Sequence, residues 1–155
     1  MHRVVNLYFE DGELVEYQLC EPGRESCRLE LYWQKPLDID FIFFNSDGTP
    51  LPLWFAGNPI KVQILLSCKD RLLASLEQET HWLPDEYGSS VLPLKNLVFD
   101  KCFMPEQVAE NPEFLPWRDC EFSVAVYSGS IPSFNMQLFF TFATLLFLNR
   151  NRFDG

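Results

Sequence analysis

The sequence is poor in the residues and motifs that most enzyme and metal sites use. It contains two histidines, His2 and His81, and it has no glycine-rich phosphate-binding motif, no Gly-x-Ser-x-Gly motif and no Cys-x-x-Cys pair. A metal centre usually needs three or four ligands at defined spacing, and phosphate cradles and hydrolase nucleophiles need their glycine-containing turns. We therefore predict no catalytic residue, no metal ligand and no bound cofactor, and we expect the protein not to be an enzyme.

Two groups of side chains are weaker candidates for chemistry. His81 precedes Asp85 and Glu86 in a predicted loop, and Asp38 and Asp40 stand two residues apart in a predicted strand. That spacing places both aspartate carboxylates on one face of the strand, an arrangement that glycosidases and metal sites use. Acid–base catalysis also needs a desolvated carboxyl group, and nothing in the sequence marks one. We interpret His81 as an ordinary loop residue and the aspartate pair as a solvated sheet edge.

The cysteine count is odd and the cysteines are widely spaced along the chain. The five cysteines are Cys20, Cys27, Cys68, Cys102 and Cys120. The first residues lead straight into an alternating strand pattern, so we expect no signal peptide. We predict reduced thiols and an intracellular location, in the cytoplasm or nucleus, or a virion location if the protein is viral. A disulfide between Cys20 and Cys27 is the alternative that export would favour.

Basic residues are also few, with 12 Lys and Arg against 22 Asp and Glu, which gives a net charge of −10. An acidic chain repels phosphate backbones and anionic lipid surfaces, so we predict no direct nucleic-acid binding and no membrane association. Residues 77–121 hold 10 acidic and 3 basic residues, which places −7 of the −10 in this region. A basic protein partner would fit it. The predicted acidic surface consists of Asp85, Glu86, Glu106, Glu110 and Glu113.

Aromatic residues and turn residues are plentiful and evenly spread. The 155 residues include 15 Phe, 11 Pro and 7 Gly. Aromatic side chains favour pleated, half-buried surfaces, and regularly spaced Pro and Gly are typical of many short strands. We predict a single β-rich domain over residues 1–155, folded as an antiparallel, jelly-roll-like sandwich of about eight to ten strands.

Local patterns assign several elements. Residues 3–9 and 14–20 alternate in polarity on either side of an Asp11-Gly12 turn, which is a strong hairpin signal. Residues near 69–79 contain three leucines that fall on one helical face, and the residues between them favour helices. This region is the one short helix that we predict.

Residues 37–66 are the stretch around which we expect the rest to be arranged. Two apolar arms, residues 37–44 and 60–66, flank the turn signals at 46–50 and 56–59. The pattern resembles a strand pair of β-rich structural proteins of double-stranded DNA viruses and phage, including those of Polinton-like elements. This resemblance implies a β-rich fold and a structural role in a virion or appendage, and it carries no catalytic residue.

The carboxy-terminal region is uncharged. Phe122–Asn149 contains no charged residue, and Met136–Leu148 is almost wholly apolar. A membrane-spanning helix needs about 20 apolar residues, which is longer than this run. A buried helix is a second interpretation. We favour a third, a long strand buried on both faces that pairs with Phe122–Ser128 across the intervening turn.

A strand that is apolar on both faces must be covered twice. One cover is the core of the domain, and we expect a second subunit to provide the other. The predicted interface residues are Met136, Leu138, Phe139, Phe140, Phe142, Leu145 and Phe147. The leading functional hypothesis is therefore a self-associating structural or interaction module that forms a symmetric homo-oligomer.

Two other functions remain open at this point. The local acidity fits an inhibitor or immunity-type protein that blocks the nucleic-acid-binding site of a basic partner. The aromatic residues fit a β-barrel that binds a small apolar ligand, with Trp54, Trp82 and phenylalanines lining its cavity.

Overall fold

The computed structural model describes residues 2–20, 28–52, 59–69, 71–99, 117–128 and 135–147, without the side chains of residues 117, 118, 128 and 135. These residues form strands and turns and no helix. The strands are β1 (His2–Glu10), β2 (Glu13–Leu19), β3 (Leu29–Tyr32), β4 (Leu37–Asn45), β5 (Ile60–Cys68), β6 (Arg71–Thr80), β7 (Leu83–Pro84), β8 (Ser90–Leu97), β9 (Trp117–Ser128) and β10 (Asn135–Phe147).

The strands form two five-stranded sheets that pack face to face. Sheet A has the order β2-β1-β4-β8-β7, and sheet B has the order β3-β10-β9-β5-β6. The predicted all-β sandwich is confirmed. Each sheet is mixed, because β1 and β4 run parallel in sheet A and β3 and β10 run parallel in sheet B.

Phenylalanine rings fill much of the space between the sheets. Phe41 of sheet A lies 5.5 Å from Phe140 of sheet B between ring centroids, and Phe122 stacks on Phe142 at 5.1 Å. All four side chains are buried. Such ring pairs stabilise a core by about 0.5–1.5 kcal/mol beyond the area they bury, so this cluster holds the sheets together.

The predicted amino-terminal hairpin is confirmed. β1 and β2 pair antiparallel, and Asp11 and Gly12 join them with φ angles of 51° and 80°. Two consecutive positive φ angles make the tight turn whose twist matches that of paired strands. Asp tolerates this conformation and Gly adopts it without steric cost.

The two arms of residues 37–66 fold differently from the expected strand pair. β4 lies in sheet A and β5 lies in sheet B, so the arms are not hydrogen-bonded neighbours. Their inward side chains meet within one core instead. The first predicted turn is present, with Gly48 at φ 88° and its amide bonded to the Asn45 carbonyl at 2.9 Å. The second turn, at 56–59, lies almost wholly outside the described residues.

The predicted helix near residues 69–79 is wrong, because these residues form strand β6. β6 pairs antiparallel with β5 along its length. Gln78 and Thr80 are half-buried while Glu77 and Glu79 are exposed, a period of two that a helix does not have. The neighbouring strand therefore overrides the local helix preference, and the leucines fit either period.

The carboxy-terminal run is a strand, as predicted, and it pairs antiparallel with β9. Within this chain one face of the strand is buried, and the cover of the other face by a second subunit stays a prediction. Phe140, Phe142, Thr144 and Leu146 are buried, and the side chains between them face outward. Over the described ranges, no helix has the length and apolar character that crossing a membrane requires.

Candidate interaction surface

The predicted interface residues of β10 divide between two sides of the strand. Phe140 and Phe142 are buried in the core, and Leu138 packs against it. These three side chains stabilise the sandwich itself. Met136 and Phe139 are 58% and 51% exposed. The outward residues that remain for an interface are Met136, Phe139, Leu145 and Phe147.

The outer face of sheet B changes from apolar at β10 to charged at β6. One row across the sheet runs from Phe139 through Ala125 and Gln63 to Glu77. Glu77 also forms an ion pair with Lys61 at 3.3 Å. The side of the sheet that an apolar partner would contact is therefore the β10 side.

The next row is uncharged and, apart from Leu65, polar. It runs from Thr141 through Ser123 and Leu65 to Ser75. The hydroxyls of Ser123 and Thr141 lie 2.9 Å apart and share a hydrogen bond. Because these two groups bond each other, they add little desolvation cost if a partner covers them.

The carboxy-terminal end of β10 is covered by β3. Phe147 stacks on Tyr32 at 5.1 Å, and the Lys35 ammonium lies 5.7 Å from the centroid of the same tyrosine ring. Arg28 and Asp119 form an ion pair beside this end. The exposed apolar surface is therefore concentrated in the amino-terminal half of β10.

That half of β10 is also a sheet edge. β3 pairs only with residues 144–147 of β10. On the same side, no described strand pairs with residues 136–142, which we call the open segment. The open segment thus combines outward apolar side chains with a backbone edge that no strand of the described ranges covers, two properties that promote strand pairing with another chain.

Two hydrogen bonds on the carboxy-terminal side of the open segment show which backbone groups face the open side. The Ala143 carbonyl accepts a hydrogen bond from the Tyr17 hydroxyl at 2.6 Å, and the Phe147 carbonyl accepts one from the Trp33 amide at 3.1 Å. Both carbonyls point away from β9. Alternate residues of a strand direct their backbone groups to the same side. The amide and carbonyl groups of Phe139 and Thr141 therefore point to the open side.

The described part of the predicted acidic surface includes a structural turn. The Asp85 carboxylate accepts hydrogen bonds from the amides of Tyr87 at 2.9 Å and Ser89 at 2.8 Å. Glu86 is exposed. Glu106, Glu110 and Glu113 lie outside the described residues. A basic partner for this surface stays a prediction.

The other candidate side chains make structural contacts. Asp38 accepts a hydrogen bond from the Asn96 amide at 2.7 Å, and Asp40 lies 2.9 Å from the His2 imidazole. His81 is exposed. Across the ranges that the structure describes, no three His, Cys, Asp or Glu side chains are grouped so that they could hold a metal ion.

The positions of cysteine and tryptophan concern two further predictions, the reduced thiols and the cavity for a small apolar ligand. Cys20 and Cys68 carry free thiols, and Cys120 is buried in the core. Trp82 packs edge-on against Phe43 at 5.3 Å, as part of the packed interior. Cys27, Cys102 and Trp54 lie outside the described residues, so the predictions that concern them stay open.

The sequence predicts the exposed side chains of Met136 and Phe139, but it does not predict which backbone groups of β10 lie at the open side. The predicted residues do not include Thr141, whose amide points to the open side, or Tyr17, whose hydroxyl bond to Ala143 limits the open segment. The absence of charge from residue 122 to residue 149 was the available signal. It does not reveal which strands are neighbours.

Comparison with models of known protein families gave no match. Comparison with curated proteins gave no match either. Among solved structures, the N-terminal domain of phage TP901-1 ORF48 is similar over 96% of this chain and 98% of that chain, with 10% sequence identity and a TM-score of 0.44.

Proposed function

We propose that the protein is a non-enzymatic structural module that self-associates through the outer side of β10. The observation that carries this proposal is the open segment, where Met136 and Phe139 are both more than half exposed. Large exposed Met and aromatic side chains are enriched at protein interfaces and depleted on surfaces that stay in water.

The charge distribution favours a second copy of this chain as the partner. The chain carries a net charge of −10, so most of its surface repels another copy. Residues 122–149 contain no charge, so two copies can meet there with the least electrostatic repulsion. The exposed acidic side chains of Glu79 and Glu86 then face solvent or a basic partner.

A component of a virion or viral appendage is the most concrete form of this function. The support for it is the resemblance, in sequence pattern alone, of residues 37–66 to a strand pair of β-rich structural proteins of double-stranded DNA viruses and phage, because the two arms of this stretch lie in different sheets here. Such proteins act by assembling, and an exposed uncharged strand on a stable sandwich suits that role.

The mass of the protein in solution, measured by sedimentation over a wide concentration range, tests the proposal. We expect an oligomer at high concentration. Phe139→Lys places a charge in the contact and should shift the protein to a monomer. Leu83→Lys is the matched control, because Leu83 is similarly exposed, at 48%, but lies on sheet A.

A wild-type protein that stays monomeric throughout would contradict the proposal. Equal weakening of self-association by both lysine variants would also contradict the proposal, since that result would reflect the change in net charge and not a contact at β10. Circular dichroism of each variant checks that the sandwich is intact before the masses are compared.

A further inference from the structure

We infer that the open segment pairs antiparallel with the same segment of a second copy, which joins two B sheets into one continuous sheet. The inference rests on the proposed self-association and specifies how it occurs. Contact through the outer faces alone would also bury Phe139, but it would leave the strand edge unpaired. Pairing at the edge satisfies the backbone groups as well.

The available backbone groups limit the contact to a short stretch. Phe139 and Thr141 direct their amides and carbonyls to the open side, as derived from the Ala143 and Phe147 carbonyl bonds. The Ala143 carbonyl is already held by the Tyr17 hydroxyl at 2.6 Å. The residues ready to pair are therefore Phe139 and Thr141.

At the other end, a bulge limits the pairing. The register of β10 against β9 shifts between Met136 and Leu138, which leaves Gln137 without an opposite residue on β9. A bulged residue disrupts the regular alternation of the backbone groups. Gln137 is therefore a poor partner for a regular ladder.

These two limits select one register. A two-fold axis at Phe140 places Phe139 of each copy opposite Thr141 of the other, and each such pair exchanges both backbone hydrogen bonds. An axis at Thr141 would require the occupied carbonyl of Ala143. An axis at Phe139 would require the bulged Gln137. The axis at Phe140 requires neither.

The side chains suit this register on both faces. On the outer face, Phe139 of one copy lies beside Thr141 of the other, an aromatic and β-branched pair of the kind that stabilises sheets by about 0.2–1 kcal/mol. On the inner face, Leu138 lies opposite Phe142 of the second copy. Leu138 is only partly buried in one chain, so the second copy would complete its cover.

Disulfide trapping tests the register. We would use a Cys20→Ser background, because Cys20 is an exposed thiol. Opposite residues of a hydrogen-bonded pair have Cα atoms about 5.5 Å apart, within disulfide reach. Under mild oxidation, Phe139→Cys combined with Thr141→Cys should form a covalent dimer in high yield.

Each single cysteine variant is the matched control. In the inferred register, Thr141 lies opposite Phe139 of the second copy, so the two Thr141 residues are offset by two residues along the strands. The two Phe139 residues are offset by the same amount. That offset exceeds the Cα separation that a disulfide allows. Both single variants should therefore stay largely uncross-linked, at the level of the parent protein.

The outcomes separate the register from the association. A covalent dimer of Thr141→Cys alone would place the axis at Thr141 and overturn the inferred register. An oligomer by mass with no cross-linking in any variant would overturn edge pairing and leave self-association standing. A monomeric parent protein by mass would instead remove the proposed function itself.

Discussion

Strand β6 is one edge of sheet B, and β10 forms the opposite edge over the open segment, where β3 does not pair with it. The two edges differ in charge and in the contacts that protect them. β6 carries Arg71, Glu77 and Glu79 along its exposed side. Its inward Gln78 bonds the backbone of Lys95 on β8 twice, through the carbonyl at 2.6 Å and the amide at 2.7 Å. The open segment of β10 has no charged residue.

The difference shows which edge is protected against pairing. Charged side chains on an edge strand disfavour the approach of another strand. Strand β7 pairs only with Ser90 and Val91 of β8. The two Gln78 bonds satisfy the amide and carbonyl of Lys95, which lies farther along β8. β10 has neither device over its open segment, and we take that lack to mark the place where a second chain pairs.

The largest expected effect separates the two faces of β10. Phe142→Ala removes a buried ring that stacks on Phe122 at 5.1 Å, and it should lower the free energy of unfolding by about 3–5 kcal/mol. Phe139→Ala, on the same strand but facing outward, should change the unfolding free energy of the monomer by less than about 1 kcal/mol. Urea unfolding at low protein concentration measures both.

Equal losses in the two variants would break the comparison, because they would mean that the outward face is also covered by its own chain. The oligomer should respond in the opposite order. Phe139→Ala should weaken self-association more than Phe142→Ala does, once each variant is checked for a folded sandwich.

The second effect tests how β6 closes its side of the sandwich. Gln78→Ala removes both bonds to the Lys95 backbone and should cost about 1–3 kcal/mol in the free energy of unfolding. Gln63→Ala is the matched control on the outer face of β5, and it should have little effect. If the two variants unfold alike, the bonds across the sandwich do not stabilise it.

The third effect tests the tie that limits the open segment. Tyr17→Phe keeps the ring packed at 4.8 Å from Phe142 but removes the hydroxyl bond to Ala143, so it should cost about 1 kcal/mol. Tyr8→Phe, whose hydroxyl bonds Gln18 at 3.3 Å on the outer face of sheet A, should cost less.

Tyr17→Phe should also alter the register, since it releases the Ala143 carbonyl. Thr141→Cys alone is then expected to cross-link more in the Tyr17→Phe background than in the parent background. An unchanged yield would show that the Tyr17 hydroxyl does not limit the pairing.

The smallest effect lies in the turn that follows β4 in sheet A. The Thr49 hydroxyl and amide donate to the Asp47 carboxylate at 2.6 Å and 2.9 Å, and the hydroxyl bond is the main cause that holds the Asp47 pKa below its ordinary value of 3.8. This contribution to stability is present above that ordinary value and is lost as pH falls through the lower folded value.

Thr49→Ala should raise the Asp47 pKa towards its ordinary value in an NMR titration, with no change in oligomer mass. A pKa that does not move would show that the hydroxyl is not the cause. A change in mass would show that this turn is coupled to the edges.

Local features of the fold were predictable from the sequence. Asp11-Gly12 defined a hairpin because a two-residue turn fixes its own conformation. The apolar run of residues 136–148 also favours a strand, since Phe and Thr favour strands and the strand pattern of residues 122–128 precedes it, and the structure has a strand at Asn135–Phe147. Both signals act over a few residues.

Features that depend on distant partners were not predictable. The sequence of β6 favours a helix because its leucines fit both periods, and only pairing with β5 decides between them. The sequence pattern of β4 and β5 resembles a strand pair, yet the two strands lie in different sheets. The open segment exists because β3 is four residues long, which no pattern in β10 reveals.

Amide hydrogen exchange at Phe139 and Thr141, measured at low and high protein concentration, tests the central claim most directly. Both amides point to the open side, so pairing with a second copy should protect them as concentration rises, while amides along the β6 edge keep their rates. Exchange at these two residues that is independent of concentration, in a protein that still forms oligomers, would contradict pairing of two chains at β10.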